Sequence, residues 1–305
     1  MKSLHEFGFV GLGRMGFNMV TRAQSQTNNL RIVVWNRDPK KMNPIVQAGG
    51  VDATDWKDMI TKLSNTPRVI WLMLPSGEVT ENAFRFFLDN LDKGDVIIDG
   101  SNSNFHHTKK RHFEAERAGL KMLDVGVSGG IIAKDSGYPM MVGGDLETYH
   151  YCEPIFKAIG IEGGVDLVGT GGAGHYVKMI HNSIEYGMMQ AIAEGFDLLN
   201  SGSMKDLDLL KIAKIWNHGT IVSSFLMKMV ESALTKDEKL KYLKPYVDDS
   251  GEGRWGAIEA LECNVPFTVN SYALNARYAS RDSDSFAMKS VAAMRNEFGG
   301  HAIKK

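Results

Sequence analysis

The feature that most constrains the fold is a glycine-rich turn near the start of the chain. A short apolar run, Phe7 to Val10, leads directly into it, and a helical pattern follows through Ala23. The turn consists of Gly11, Leu12, Gly13, Arg14, Met15 and Gly16. In dinucleotide-binding proteins these glycines give a tight turn, a close approach for the pyrophosphate and close helix–strand packing, while the helix N-terminus offers N–H donors to the phosphates. The spacing therefore predicts a strand–turn–helix unit that binds a dinucleotide.

The residues that end the second predicted strand bear on which dinucleotide is bound. Ile32 to Trp35 is this strand, and Asn36, Arg37 and Asp38 follow it. An acidic side chain here hydrogen-bonds the ribose of NAD, whereas a neutral residue beside an Arg accommodates the 2′-phosphate of NADP. Asn36 and Arg37 favour NADP, but Asp38 would repel a 2′-phosphate unless Arg37 neutralises it. The residues leave the choice between NADP and NAD open.

Apolar strands alternate with helical stretches through the first 170 or so residues. The further predicted strands are Val69 to Leu74, Val96 to Ile98, Met122 to Val125, Met140 to Val142 and Val165 to Val168. Helical patterns such as Glu78 to Leu91 and Thr108 to Ala118 separate them. This alternation predicts a doubly wound, mostly parallel sheet of Rossmann type with helices on both faces. Leu74 and Pro75 end a strand at the carboxyl edge, where we expect the cofactor.

After Gly174 the pattern changes from mixed to helical. Helical periodicity covers Tyr176 to Leu199, Lys205 to Asn217, Ser223 to Leu234, Arg254 to Glu262 and Asn270 to Ala279. We therefore predict an α/β protein in which a dinucleotide-binding domain, residues 1–172, is followed by an all-α domain, residues 173–305.

Composition limits the partners of the chain. The formal net charge is −1, which gives no general attraction to nucleic acid or to an anionic membrane. The longest apolar run, Val69 to Leu74, is too short to span a bilayer. Cys152 and Cys263 have no metal-ligand spacing and are too few for a disulfide framework. We expect a cytoplasmic protein without nucleic-acid, membrane or metal partners.

Polar side chains recur on one side of the first helix of the second half. Lys178, His181, Asn182, Glu185 and Tyr186 stand at i, i+3, i+4, i+7 and i+8. Side chains with this spacing project from one helix face, and we call these five residues the polar stripe. A solvated face usually carries Lys, Glu and Gln, whereas this one carries His, Asn and Tyr and follows a glycine-rich entry at 169–174. We interpret the polar stripe as a catalytic surface.

Four segments together resemble a known family. They are the turn 11–16, the loop 97–103, the loop 127–130 and the helix start 172–187. The chain resembles the β-hydroxyacid dehydrogenase superfamily and, within it, the short form of the 6-phosphogluconate dehydrogenase family. The superfamily shares the glycines, Lys178 and Asn182, whereas His181, Glu185 and Tyr186 are particular to the phosphogluconate branch.

The resemblance implies an oxidative decarboxylation of 6-phosphogluconate to ribulose 5-phosphate and CO2, with hydride transfer to NAD or NADP. Lys178 is the implied base for the C3 hydroxyl, and Glu185 is the implied acid for the enediol. Burial lowers the pKa of a lysine and raises that of a carboxyl, as these roles require. The implied ligands of the sugar acid are Asn102, which also meets the cofactor, Ser128, Gly129, Gly130, His181 and Asn182.

The resemblance also implies a phosphate site that is shared between subunits. Its implied ligands are Tyr186, Arg277 and, from a neighbouring chain, Arg295 and His301. A tail that completes a neighbour's site requires at least a dimer, so we expect a homodimer or homotetramer. On this basis the all-α domain is expected to bind substrate and to dimerise.

The chain departs from the family pattern at three positions. Ser250 and Glu252 stand where the long form has a Lys and a Thr that hold phosphate, and Ser101 stands where Gly is more common. The lost phosphate ligands favour an alternative: another β-hydroxyacid dehydrogenase, acting on 3-hydroxyisobutyrate or an unphosphorylated aldonate. Glu185 opposes this alternative, because simple oxidation needs no enediol acid. A non-catalytic dinucleotide sensor is a further alternative, which the retained base and acid disfavour.

Overall fold

The structure, a computed structural model, describes residues 4–304. Its strands are β1 (Glu6–Val10), β2 (Arg31–Trp35), β3 (Val51–Asp52), β4 (Val69–Leu72), β5 (Val96–Asp99), β6 (Lys121–Val127), β7 (Tyr138–Gly143) and β8 (Gly160–Gly169). They form one sheet in the order β3-β2-β1-β4-β5-β6-β7-β8. Every neighbouring pair is parallel except β6 and β7, which are antiparallel. The predicted mostly parallel sheet is confirmed.

Helices cover both faces of this sheet, as the doubly wound prediction requires. They are α1 (Arg14–Gln26), α2 (Asn43–Gln47), α3 (Trp56–Lys62), α4 (Glu78–Asn90), α5 (Phe105–Ala118), α6 (Ala133–Ser136) and α7 (Leu146–Ile159). Alternate strand residues bury on opposite sides: Trp71 belongs to one apolar cluster, and Ile70 and Leu72 belong to the other. Side chains on a strand alternate between faces, so a strand that is apolar throughout must be covered twice.

The chain reverses its direction across the sheet between β1 and β4. From β1 the strand order runs outward through β2 to β3, and β4 then returns to the other side of β1. The carboxyl ends of β1 and β4 therefore lie side by side at the switch point where open α/β sheets bind dinucleotides.

The remainder of the described chain is helical. The helices are α8 (Ala173–Ser201), α9 (Leu209–Trp216), α10 (Phe225–Lys236), α11 (Glu252–Glu262), α12 (Thr268–Ala279) and α13 (Phe286–Gly299). The last of these, α13, is absent from our sequence prediction, which treats this segment only as a tail motif. Its ends carry usable signals: Ser285 accepts a hydrogen bond from the Met288 N–H, and Gly300 is left-handed with φ 61°.

The chain divides into two compact units, Met1–His181 and Asn182–Lys305. The division falls inside α8, because the first turns of this helix pack on β6 and belong with the sheet. The predicted boundary between residues 172 and 173 stays a prediction.

Candidate active site

The three glycines of the turn after β1 have different surroundings. Gly11 has φ +103°, and a Cβ on it would collide with the Met73 carbonyl oxygen. A Cβ on Gly16 would collide with the Gly11 carbonyl oxygen. A Cβ on Gly13 would have no neighbouring atom within 4 Å. Gly11 and Gly16 thus permit the packing of the turn, while Gly13 leaves its outer surface open.

Helix α1 begins at this open surface with its N–H groups available. Gly13 is the residue before the helix, and, within residues 4–304, no side chain caps α1 and its first turn holds no acidic residue. The first N–H groups of a helix have no partner within the helix, and they attract anions. Leu12, Arg14 and Met15 complete the turn, and the role of residues 11–16 at the pyrophosphate stays a prediction.

Asn36 ties the end of β2 to this turn. Its Oδ1 accepts the Leu12 N–H at 2.9 Å, and its Nδ2 donates to the Asp38 carbonyl oxygen at 3.0 Å. Asp38 in turn accepts the Lys40 N–H at 3.1 Å. Both Arg37 and Asp38 are exposed, beyond the tied Asn36. This is the edge at which a ribose or its 2′-phosphate would lie.

Leu74 and Pro75 follow β4 beside the glycine turn. The Met73 N–H donates to the Val10 carbonyl oxygen at 2.8 Å, which joins the two strand ends. Leu74 lies next to Gly11, where a Cβ would be 2.9 Å from its Cδ2. Thr80 of α4 holds the Pro75 carbonyl oxygen at 2.8 Å. The cofactor role of Leu74 and Pro75 stays a prediction.

Asn102 lies in the loop after β5 with a strained backbone. Its φ is +52°, an unusual value for a residue with a side chain. Its Oδ1 accepts the Val127 N–H at 3.3 Å. An N–H group can only donate, so the carbonyl side of Asn102 faces Val127, and the NH2 group is the part available to a ligand.

A buried network flanks Asn102 on both sides. Ser101 Oγ donates to Asp99 at 2.6 Å and contacts Ser103 Oγ at 2.7 Å. Arg111 of α5, which is buried, donates to Asp99 at 2.7 Å and to Ser103 at 3.1 Å. Ser101, which stands where Gly is more common in the family, therefore takes part in holding this loop. We did not predict roles for Asp99, Ser103 or Arg111. A helical pattern does not reveal that Arg111 turns inward, and both other residues are its partners.

The loop after β6 brings Ser128 next to Lys178. The Lys178 side chain is buried, with 6% of its surface exposed, and its Nζ lies 3.4 Å from Ser128 Oγ. Gly129 and Gly130 follow with φ values of +95° and +58°. Both values lie in the left-handed region that glycine adopts readily, so these two glycines let the chain turn directly after Ser128.

Helix α8 carries the whole polar stripe without interruption. Lys178, His181, Asn182, Glu185 and Tyr186 all lie within Ala173–Ser201. His181 is exposed, Asn182 and Glu185 are half-buried, and Tyr186 is buried. Lys178 and Glu185 are seven residues apart, which corresponds to about two helical turns on one face.

Tyr186 and Arg277 are in direct contact in the helical unit. The guanidinium carbon of Arg277 lies 3.4 Å from the centre of the Tyr186 ring, a cation–π arrangement. Arg277 also donates to the Asp248 carbonyl oxygen at 2.9 Å. The Tyr186 hydroxyl lies 3.3 Å from Ser250 Oγ. Tyr186 and Arg277, two predicted phosphate ligands, therefore lie beside Ser250, one of the positions that depart from the family pattern.

Glu252 adds a buried carboxyl to this place. It is 6% exposed and accepts a hydrogen bond from Ser250 Oγ. Arg281, which follows α12, forms an ion pair with Asp249 at 2.8 Å. A phosphate bound here would have both Arg277 and an acidic group nearby.

Arg295 and His301 lie at the C-terminal end of the chain. Arg295 is on α13 and His301 follows this helix, and both are exposed. The His301 carbonyl oxygen accepts a hydrogen bond from Asn296 Nδ2 at 2.9 Å. Their predicted role on a second chain stays a prediction.

The sheet topology and the glycine turn define the class of this protein as a dinucleotide-binding protein of Rossmann type. Sequence profiles support this assignment over nearly the entire chain. Residues 6–169 match the NAD binding domain of 6-phosphogluconate dehydrogenase, and residues 174–304 match the C-terminal domain of that enzyme. The chain belongs to the 6-phosphogluconate dehydrogenase family. This confirms the resemblance and the cofactor class, NADP or NAD.

Curated relatives of the same length carry related names. The chain is 39% identical over 300 residues to YqeC of Bacillus subtilis, itself only a provisionally assigned 6-phosphogluconate dehydrogenase, covering 98% of this chain and 99% of that protein. It is 34% identical to an NAD(+)-dependent, decarboxylating 6-phosphogluconate dehydrogenase of Haloferax volcanii, covering 98% and 99%.

Solved structures extend the comparison to longer and more distant proteins. A Plasmodium falciparum 6-phosphogluconate dehydrogenase is 26% identical with a TM-score of 0.82, and the match covers 98% of this chain but only 66% of that one. A Mycobacterium tuberculosis 3-hydroxyisobutyrate dehydrogenase is 20% identical with a TM-score of 0.70, covering 92% and 94%, and this likeness concerns the fold alone. Among residues 4–304, no helix combines the length and apolarity needed to cross a membrane.

Proposed function

We propose that this protein oxidises and decarboxylates 6-phosphogluconate, giving ribulose 5-phosphate and CO2. The observation that carries the proposal is the placement of Lys178 on α8, buried, with its Nζ 3.4 Å from Ser128 Oγ and with Glu185 farther along the same helix. A relative of equal length is named as a decarboxylating enzyme, which supports the same reaction.

The first step is oxidation of the C3 alcohol. Lys178, as the neutral amine, removes the hydroxyl proton, while Ser128 and the N–H groups near Gly129 and Gly130 orient the sugar acid. A bound nicotinamide supplies the hydride acceptor. The turn 11–16 would hold the pyrophosphate of that cofactor, Asn36, Arg37 and Asp38 would meet its ribose, and Leu74, Pro75 and Asn102 would hold the remainder.

The second step is loss of CO2 from the resulting β-keto acid. The Lys178 ammonium, formed in the first step, donates a hydrogen bond to the C3 carbonyl oxygen. As the bond from C1 to C2 breaks, its electron pair forms the C2–C3 double bond, and Lys178 stabilises the developing oxyanion and transfers its proton to it, which gives the enediol and the neutral amine. The charge of the lysine therefore stabilises the electron density that the departing CO2 leaves on the substrate.

The third step is protonation of the enediol carbon that carried the carboxylate. Glu185 lies about two helical turns from Lys178 on the same face of α8. In its neutral form it delivers a proton to this carbon, while Lys178 takes the proton of the C3 hydroxyl as the ketone re-forms. His181 and Asn182, between the two, position the hydroxyl groups of the substrate.

The phosphate is bound by Tyr186 and Arg277, joined by Arg295 and His301 of a second copy. The fork of an Arg side chain suits a phosphate, and Arg277 already lies over the Tyr186 ring. No residue of α13 is buried in this chain, and its aromatic residues Phe286 and Phe298 are 81% and 77% exposed. Such exposed aromatic surface supports a homodimer or homotetramer.

The second candidate substrate is an unphosphorylated aldonate. The observation in its favour is Glu252, a buried carboxyl in contact with Ser250, close to the Tyr186 hydroxyl. A carboxylate accepts a hydrogen bond from a sugar hydroxyl but repels a phosphate dianion. The carboxyl group of Glu252 thus favours a substrate that carries a hydroxyl rather than a phosphate at this end.

The remaining proposals concern the domains and the compartment. We place the dinucleotide-binding domain at residues 1–172 and the substrate-binding and dimerisation domain at residues 173–305. Both Cys152 and Cys263 are free thiols, which suits the reducing cytoplasm.

The deciding experiment supplies 6-phosphogluconate, gluconate or 3-hydroxyisobutyrate with NAD or with NADP. Absorbance of the reduced nicotinamide reports oxidation, and CO2 release reports decarboxylation. We expect both signals with 6-phosphogluconate. Reduced cofactor without CO2 would reject the decarboxylation, and turnover of gluconate but not of 6-phosphogluconate would favour the second candidate.

The acid is tested separately with a Glu185→Ala variant and its isosteric partner Glu185→Gln. We expect both variants to lose turnover by about 10²- to 10³-fold with little change in substrate affinity. If affinity falls while kcat stays at the parent value, Glu185 only binds substrate.

A further inference from the structure

Three alternate residues at the end of β6 contact the first turns of α8. They are Asp124, Gly126 and Ser128, of which Ser128 is the first residue after the strand. Residues two apart in a strand lie on the same face of the sheet. Each contacts a different part of the helix: Asp124 its N-terminus, Gly126 the stem of Lys178, and Ser128 the Lys178 amine.

Asp124, on the strand against which α8 packs, caps the N-terminus of this helix. Its Oδ1 accepts the Gly172 N–H at 2.7 Å, and its Oδ2 accepts the His175 N–H at 2.8 Å. The first N–H groups of a helix need acceptors from elsewhere, and a negative charge at this end is favourable. Gly172, directly before the helix, has no side chain to supply one. Both oxygens of a single carboxylate therefore fix the axial position of the first turn.

Glycines let the helix approach the sheet closely. A Cβ on Gly126 would collide with the Lys178 Cβ and would lie 2.7 Å from the Gly174 carbonyl oxygen. A Cβ on Gly174 would lie 2.5 Å from the carbonyl oxygens of Asp124 and Met141. At this separation a small shift of the first turn moves Lys178 against the strand.

His112 of α5 completes the cap. Its Nε2 lies 2.8 Å from Asp124 Oδ1, and its side chain is 16% exposed whereas that of Asp124 is fully buried. Burial raises the pKa of Asp124, but the hydrogen bond from His112, the nearby His175 ring and the His175 N–H together hold its pKa below the usual range. The carboxylate is therefore charged at neutral pH, and His112 provides a hydrogen bond to that charge.

We propose that His112 and Asp124 are positioning residues, which anchor the first turn of α8 and thereby hold the Lys178 amine at Ser128. The inference rests on the proposed function only for the role of Lys178 as base. Neither residue touches the substrate in this scheme. Lys178 lies one turn beyond His175, whose N–H is bound by Asp124, so loss of the cap displaces the amine directly. A misplacement of about 1 Å costs a catalytic group up to about 10²-fold in rate.

The test uses graded variants of the intact enzyme. Asp124→Asn keeps the shape of the side chain but turns an NH2 group toward one of the two helix N–H donors. We expect kcat to fall by about 10²-fold in this variant, and by about tenfold in His112→Ala, with the KM for NAD or NADP unchanged. Gln can donate from the same distance along its side chain, so His112→Gln should restore kcat to within about twofold of the parent.

A matched control removes a similar contact elsewhere. His150 of α7 contacts Glu153 at 2.6 Å on the surface. His150→Ala should leave kcat unchanged. Amide hydrogen exchange over residues 175–181 gives a readout without turnover, and we expect faster exchange in Asp124→Asn and His112→Ala than in the parent and His150→Ala.

The outcomes separate this inference from the proposed function. If the parent releases no CO2 from 6-phosphogluconate, that function fails, and kcat is then followed with whichever β-hydroxyacid the parent oxidises. Unchanged kcat in Asp124→Asn, unchanged exchange, or equal losses in His112→Gln and His112→Ala would overturn the positioning role. A parallel rise of the cofactor KM in every variant would also overturn it, since that pattern indicates general damage to the fold.

Discussion

The junction of β6 with α8 and the C-terminal helix α13 are built in opposite ways. At the junction, Asp124 is fully buried, the helix is capped from the sheet, and glycines permit backbone contact. In α13 no residue is buried, and Phe286, Met294 and Phe298 are exposed. The first region is held by contacts between two elements of one chain, whereas the second presents exposed apolar side chains.

This difference indicates which region controls turnover and which controls substrate affinity in the proposed reaction. The base Lys178 is held by contacts inside one chain, so oxidation depends on local packing. The proposed phosphate ligands Arg295 and His301 lie at the exposed end, so in this proposal substrate affinity depends on assembly. We therefore expect damage at the junction to reduce turnover and damage at α13 to reduce affinity.

The largest effect should come from Lys178→Met, which keeps the length of the buried stem but removes the amine. Turnover should fall by about 10³-fold or more, because the variant has neither a base nor a cation for the developing oxyanion. Fluorescence titration should show unchanged NAD or NADP binding. Turnover near the parent value would show that Lys178 is not the base and that the reaction does not depend on the junction of β6 and α8.

The same substitution at two glycines of α8 tests the packing contrast directly. Gly174→Ala places a Cβ 2.5 Å from two carbonyl oxygens, and should lower the free energy of unfolding by about 1–3 kcal/mol. Gly195→Ala has no atom within 4 Å of the new Cβ, and should raise it by about 0.5–1 kcal/mol. Urea unfolding measures both. A destabilising Gly195→Ala would reveal that a second chain packs there.

Arg295→Ala should act on affinity alone. We expect the KM for 6-phosphogluconate to rise by about tenfold at unchanged kcat, because one charge-assisted contact to the phosphate is lost. Steady-state kinetics with Lys289→Ala, which removes a neighbouring cation of α13, provides the control. An unchanged KM in Arg295→Ala would exclude the tail from the site.

The smallest effect concerns stability at acid pH. Since the pKa of Asp124 is lowered in the folded state, its contribution is present above the unfolded-state pKa of about 3.9 and is lost as the pH falls through the folded-state value. Asp124→Asn should therefore flatten the decline in unfolding free energy below about pH 4. Glu153→Gln should change little, because the Lys157 and His150 contacts that lower the pKa of Glu153 are at the surface and are screened. Equal slopes in parent and Asp124→Asn would contradict the buried charge.

Several elements were predictable because their determinants are local. The turn 11–16 follows from glycine spacing, and the strands follow from apolar runs whose alternate residues meet opposite helical layers. The polar stripe follows from helical period, and α8 indeed covers all five of its members. Helix α13 escaped prediction because its segment was interpreted only as a tail motif, and none of its residues is buried within the described part of the chain.

By itself the sequence determined the class of fold, the dinucleotide turn and the order of functional groups along α8, because these depend on local spacing and side-chain chemistry. Only the tertiary structure decided that Arg111 and His112, consecutive on α5, reach two different carboxylates, Asp99 and Asp124, which are partners on adjacent strands. Contacts between distant segments depend on the register of strands and on the depth of helix packing. Short-range sequence patterns do not encode either quantity, so the groups that hold Asn102 and Lys178 in place emerged only from the folded chain.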